Sequence, residues 1–310
     1  MQFKTLDYDN WQKLVDRQRY PSPFYEYDWQ MAVARYYKAK VDMLYIKDRH
    51  QGWLAPVFSG LPWLTREELR LGSIGYGGPL SIHELSSPIE EMNKIKKVLQ
   101  QLLIKNNAKK VTSSVYPAIF WNDEKVIKKF EVDNTVRIHL TGDINMTFNN
   151  VLSGNVRTAI RKSKNNNVTI RKVTLSDNVE FEAAVNLLQE TQKRVGSSYV
   201  TDRELLIALM KMKSNDLKVK LFIAEIDNVV TAMALGLHNK HEFFHLFHGW
   251  DRSFSVSAVN QALIWSMIKH AEESNIPLFN MGSSHTDAIL AAKLRYGCRI
   301  EPVPQLRVTG

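Results

Sequence analysis

Residues Lys218–His248 read KVKLFIAEIDNVVTAMALGLHNKHEFFHLFH, and this stretch decides the fold. It contains three runs rich in aliphatic, β-branched and aromatic residues: Lys218–Ile226, Val229–His238 and His241–His248. Asp227-Asn228 and Asn239-Lys240 separate them at the positions of two-residue hairpin turns. Such spacing predicts three antiparallel strands in a meander. Downstream, Ala258, Leu263, Trp265 and Ile268 mark an apolar stripe on a helix from about Ser257 to Glu273. A short strand at Pro277–Met281 ends in Gly282. One more helix, about Thr286–Tyr296, stops at Gly297, a helix C-terminal signal, before a strand near Arg299–Val303. Upstream, a strand at Val168–Val173 precedes helices at Asn178–Arg194 and Arg203–Met212. The order is β-α-α-β-β-β-α-β-α-β.

The first half repeats this order less clearly. A helix at Asp28–Tyr37 precedes strands at Val41–Lys47, Trp53–Phe58 and Leu69–Ile74. A helix over Pro88–Asn106 follows, with Ile89, Met92, Ile95, Leu99, Leu102 and Leu103 on one side. Then come strand Lys110–Val115, helix Ala118–Lys128 and strand Thr135–Leu140. We read a structural repeat without obvious sequence identity. The expected class is α+β (mixed α/β), in two domains, residues 1–141 and 142–310, packed around a cleft. The last few residues are free to return to the first domain. No Pro/Ser-rich linker marks the junction near Thr141-Gly142-Asp143.

The chain has 310 residues, 44% hydrophobic and 24% charged, as in an ordinary globular protein. Its net charge of +9 favours a polyanionic partner: nucleic acid, a nucleotide-linked substrate or an anionic membrane surface. The charge peaks in Asn155–Val173, NVRTAIRKSKNNNVTIRKV, where Arg157, Arg161, Lys162, Lys164, Arg171 and Lys172 stand with no acidic residue between them. A phosphate-binding surface and a solvated face both fit that pattern. The single cysteine, Cys298, excludes an intramolecular disulfide and a cysteine-rich zinc site. No secretory leader is visible, and no apolar run reaches the ~18 residues of a transmembrane helix. A cytoplasmic protein is expected, associated with a membrane at most peripherally.

The element order is that of the GNAT-type N-acyltransferases. The motifs resemble those of the Fem-type transferases and the wider FemAB-like group, which are built from two GNAT-like domains. Pro23-Phe24 with Trp29, and the loop Tyr76-Gly77-Gly78-Pro79, resemble the family's early segments. Val156–Ser163, Thr191–Arg194 with Tyr199, Asn280-Met281-Gly282 and Lys293–Gly297 resemble its later ones, in the right order. The resemblance implies transfer of an aminoacyl group from aminoacyl-tRNA to an amine of a nucleotide- or lipid-linked cell-wall peptide precursor. It implies Lys293 beside the reacting carbonyl, and Arg194, Tyr199, Tyr76, His248 and Asn280 on the substrate. Arg157, Arg161 and Lys164 would hold the polyanionic donor. Leu290-Ala291-Ala292 before Lys293, and Phe247-His248 where a tyrosine is usual, depart from the pattern.

Neither a cofactor nor a metal is expected. The Gly-rich pyrophosphate turn of CoA-dependent GNAT enzymes has no convincing counterpart, since Gly249-Trp250-Asp251-Arg252 supplies one glycine. On a regular strand His245 and His248 would point to opposite faces, which argues against a shared metal. Either could be a proton acceptor or a core histidine. Ser283-Ser284-His285 with Asp287 does not form a hydrolytic triad, because the residues are too close in sequence. Two alternatives stay open: an acyl-CoA-dependent or other N-acyltransferase acting on a polysaccharide or specialised-metabolite amine, and a non-catalytic RNA-binding protein.

Overall fold

The computed structural model describes residues 1–18, 21–82, 87–115, 124–197, 200–284 and 286–310. The chain opens with β1 (Gln2–Thr5), α1 (Tyr8–Val15) and α2 (Tyr27–Tyr37). Then follow β2 (Lys40–Asp48), β3 (Gln51–Ser59), β4 (Glu68–Leu71), β5 (Leu80–Ser81), α3 (Pro88–Lys105), β6 (Lys110–Ser114), α4 (Glu124–Lys129) and β7 (Glu131–His139). The second half runs α5 (Ile144–Met146), a π-helical turn at Thr147–Val151, α6 (Gly154–Asn165), β8 (Thr169–Val173), α7 (Asn178–Arg194) and α8 (Arg203–Met210). It closes with β9 (Lys218–Ile226), β10 (Val229–His238), β11 (Glu242–Trp250), α9 (Val259–Glu273), β12 (Leu278–Asn280), α10 (Asp287–Leu294) and β13 (Arg299–Thr309). The front of the helix expected from Ala118, together with Tyr199 and His285, lies outside the described residues.

Two compact units divide the chain: Met1–Thr135 with Ile300–Gly310, and Val136–Arg299. In the first, β1, β2, β3 and β4 pair antiparallel, β6 joins parallel to β4, and β13 pairs antiparallel with β6. The crossover to β6 is α3. Its start is set by Ser87, whose side chain accepts from Glu90 N, by Pro88 in the first turn and by Glu90 and Glu91 near the positive end of the helix. Met92, Ile95, Val98, Leu99 and Leu102 recur at helical spacing and are fully buried against Trp53, Val57, Leu71, Val111 and Leu306. Burying each such side chain stabilises by about 1.5–3 kcal/mol.

The second unit repeats the scheme. Strands β8, β9, β10 and β11 pair antiparallel, α9 crosses over, β12 runs parallel to β11, and β7 lies antiparallel to β12. Strands β9 and β10 have the bounds expected from the sequence. One face of this sheet packs on α9 through Phe222, Ala234, Phe243, Leu263 and Met267. On the other face α7 comes so close to β11 that a Cβ on Gly249 would lie 2.6 Å from Leu188 N and 2.7 Å from the Leu187 carbonyl carbon and oxygen.

Because backbone cannot yield as a flexible side chain does, Gly249→Ala must push α7 off the sheet. We expect the variant to lose about 1–3 kcal/mol of stability, the usual cost of overpacking. In urea unfolding the midpoint should fall while the slope stays unchanged. An unchanged midpoint would mean that α7 is free to shift.

Candidate active site

All the geometry described next belongs to the second unit. Strands β11 and β12 pair over Glu242–Phe244 opposite Leu278–Asn280. Beyond that point β12 ends, and β11 continues to Trp250 with no further strand paired on that side among the described residues. The chain after β12 turns at Gly282, at φ +71°. Lys293 reaches this turn from α10. Its Nζ donates to Ser283 O at 2.7 Å and to Gly282 O at 3.2 Å. An ammonium has three hydrogens, so two are committed and the direction of the third is fixed. Burial is the main cause that lowers the Lys293 pKa to about 8, with neighbouring Cys298 acting weakly in the opposite sense. Cys298 donates to Met281 Sδ at 3.3 Å, and burial pushes its thiol up to about 12, far from a reactive thiolate.

Facing this turn on β11 are His245 and His248. The expectation that they point apart fails for one local reason. Ala234 and Gly236, two residues apart on β10, share a face and pair with His248 and His245. Three positions on β11 thus answer two on β10, a bulge that leaves Leu246 without an opposite residue. Both rings consequently lie on the α9 face, with His248 Nδ1 and His245 Nε2 3.2 Å apart. His248 Nε2 lies 2.9 Å from Asn260 Oδ1 on α9. His245, His248 and Asn260 thus form one hydrogen-bonded chain. Burial first, then the charge of Lys293, holds His248 below the ordinary histidine range, against the pull of the Asn260 bond. Burial also holds His245 well below that range, with His248 and Lys293 adding to the effect. With their pKa values held below that range, both rings favour the neutral form at pH 7. Among the described residues no group of three or more His, Cys, Asp or Glu is arranged to hold a metal ion.

Asn280 is fully buried, so its amide is turned into the protein. Its Nδ2 donates to Glu242 Oε1 at 2.8 Å, and its Oδ1 accepts from Gly282 N at 2.8 Å. Glu242 is itself buried and ion-paired to Arg137 of β7 at 2.9 Å. Arg194 ends α7. Its Nη2 donates to Trp250 O at 3.1 Å and to Thr191 Oγ1 at 3.2 Å, and the guanidinium lies 5.8 Å from the centre of the Trp250 ring. This places an exposed arginine at the end of the strand that carries His248.

The basic segment divides by role. Arg157 Nη1 donates to Asn149 O at 2.6 Å and Leu152 O at 2.7 Å, fastening the chain before α6. Arg171 is paired with Glu225 at 2.9 Å and Glu180 at 2.6 Å. Arg161 and Lys164 are exposed on α6, with Arg161 lying 5.5 Å from the Phe148 ring centre. Tyr76 belongs to the first unit, where its buried ring packs edge-on against Phe24 at 5.8 Å. The one glycine of Gly249–Arg252 lies within β11 and is taken up by the approach of α7. Asn260, Glu242 and Arg137 drew no notice in the sequence, because only long-range pairing brings them to the site.

Residues 152–288 match the family model described as an acetyltransferase (GNAT) domain. Among curated proteins, none matches the chain. Among solved structures, FemX is similar over 100% of this chain and 98% of its own, with a TM-score of 0.72 and 12% identity. A tandem GNAT protein from the clavulanic acid biosynthesis pathway is similar over 99% of this chain and 98% of its own, with a TM-score of 0.59 and 10% identity. The C-terminal domain of a candidate lysylphosphatidylglycerol synthetase from Agrobacterium fabrum is similar over 97% and 92%, with a TM-score of 0.59 and 10% identity. At such identities the likeness is one of fold. The repeated meander–helix–parallel-strand order and these matches together give the conclusion that the chain has a Fem-like tandem GNAT fold.

Proposed function

We propose that the protein is an N-acyltransferase that moves an aminoacyl group from aminoacyl-tRNA to an amine of a cell-wall peptide precursor. One observation carries the reading: an ammonium with one uncommitted N–H stands beside a neutral histidine pair, on a transferase fold. Acyl transfer needs both groups. As the amine nitrogen bonds to the acyl carbon, the carbonyl oxygen becomes an oxyanion, and Lys293 stabilises it. The proton shed by the amine passes to the His245–His248 pair. The bond from the acyl carbon to the ribose oxygen then breaks, and that oxygen takes the proton back. Arg194 supplies a planar fork for an acceptor diphosphate. The motif resemblance to Fem-type transferases supports the choice of donor and acceptor. A second reading, acyl-CoA as donor, is favoured by the fold shared with the clavulanic acid pathway protein, whose structure is named as one without AcCoA. The use of Gly249 in packing weighs against it.

Mass spectrometry of precursor incubated with charged tRNA, acyl-CoA and the purified protein separates these. An aminoacyl mass added to the amine is expected. An acyl mass drawn from CoA would replace the first reading by the second. Salt-sensitive RNA binding without any transfer would leave a binding protein.

Lys293→Met keeps the length of the side chain and removes its charge. We expect kcat to fall about a hundredfold or more, the scale for losing one oxyanion donor, with both KM values nearly unchanged. Turnover at the parental rate in a folded variant would remove Lys293 from the chemistry. The pH profile fixes the sign of its role. Lys293 acts charged, so kcat should decline as pH rises through about 8. The histidines act neutral, so kcat should rise with pH on a limb below 6.5. A limb that rises through 8 would make Lys293 the base instead.

Arg161 and Lys164 are the exposed candidates for donor phosphates. Reversing both to glutamate should weaken tRNA binding and flatten its log–log salt dependence by roughly 1.5, the slope lost with two phosphate contacts. An unchanged slope would make this face of α6 a solvated one.

A further inference from the structure

The Lys293 ammonium is aimed by the two carbonyls it binds, so whatever fixes those carbonyls fixes the aim. Gly282 O also accepts from Val136 N at 3.3 Å, and Met281 N donates to Val136 O at 2.9 Å, so the turn is pinned to β7 on one side. On the other side Asn280 Oδ1 holds Gly282 N at 2.8 Å. Asn280 is oriented by Glu242 at 2.8 Å, and Glu242 by Arg137 at 2.9 Å. Asn280 and Glu242 are wholly buried, and Arg137 is 2% exposed.

A charge pair at that depth is expensive. Desolvation costs several kcal/mol per ion, and well-packed apolar residues of the same volume would serve stability as well or better. Packing alone therefore does not account for the pair. Its continuation through Asn280 to the turn offers another account.

Resting on the reading of Lys293 as the oxyanion cation, we propose that Arg137, Glu242 and Asn280 are positioning residues. They form a buried relay that sets the direction of the free N–H of Lys293 by fixing the carbonyls of Gly282 and Ser283. None of the three needs to touch substrate. Asn280 thereby has a different task from the substrate contact implied by its motif. The relay acts on the transition state and not on ground-state binding, because a misdirected ammonium still leaves room for both substrates.

The test is Asn280→Leu, which keeps the volume and removes both hydrogen bonds, with Asn280→Ala as the substitute if the leucine variant does not fold. Two readouts are taken on the full chain. Steady-state kinetics with charged tRNA and precursor should show kcat down tenfold or more and each KM within about threefold. NMR titration of ε-13C-labelled lysine, with the Lys293 signal assigned by its loss in Lys293→Met, should show the Lys293 midpoint moved down by about one pH unit. The direction follows from hydrogen bonding to the charged form, which favours that form until the acceptors are lost. A folded variant with an unmoved midpoint and parental kcat would overturn the relay. A rise in KM with kcat unchanged would also overturn it, and would make Asn280 a binding residue. If neither parent nor variant transfers anything, the transferase reading fails while the titration still decides whether the relay aims Lys293.

Discussion

A carboxylate shut away from water at the start of β11 stands at the centre of the second unit's buried polar contacts. Glu242 sits where β11 and β12 are still paired, and it must meet a cation there because an unpaired buried charge would be intolerable. Arg137 meets that need from β7 and Asn280 shares the same oxygen. Asn280, the last residue of β12, in turn accepts from Gly282 N, where the chain leaves the sheet. The departure of the chain at Gly282, the two carbonyls it presents and the grip on Lys293 all follow. Where β12 departs, β11 runs on, and the half-buried histidines occupy that length.

Much of the fold was legible because it rests on local pattern. The Asp227-Asn228 turn fixed the hairpin of β9 and β10, and both residues adopt the positive φ such a turn requires. The α3 stripe was visible from spacing alone. What stayed hidden depends on pairing between distant residues. The bulge at Leu246 has no signature in its own neighbourhood; it exists because β10 supplies two positions where β11 supplies three. Without it the histidines read as unrelated. The Asn280-Met281-Gly282 motif was visible, but the burial of Asn280 depends on residues 38 positions before it and further away still.

The basic segment shows the same limit. Six cations in a row of sequence suggest one surface, yet they are dispersed by the partners the fold brings to them. Arg171 faces Glu225, 54 residues away, on the neighbouring strand. Arg157 is spent on backbone carbonyls just before its own helix. Lys172 is exposed on β8 beside His270, at 3.0 Å, while Arg161 and Lys164 keep their charge toward solvent on α6. Net charge is a statement about a whole surface, whereas a phosphate is held by a few particular cations.

One feature of the first unit bears on how the molecule is made. Its sheet is completed by β13, so residues 305–309 pair with residues 110–114 across nearly two hundred positions of chain. The whole of the second unit is synthesised before that strand. At ~5–20 residues per second, β6 waits roughly ten to forty seconds with an open edge. During that interval the N-terminal segment is exposed to strand-adding partners and to chaperones. Nascent chains of this protein should therefore mature in the reverse of their order of synthesis, with the first-made unit the last to close.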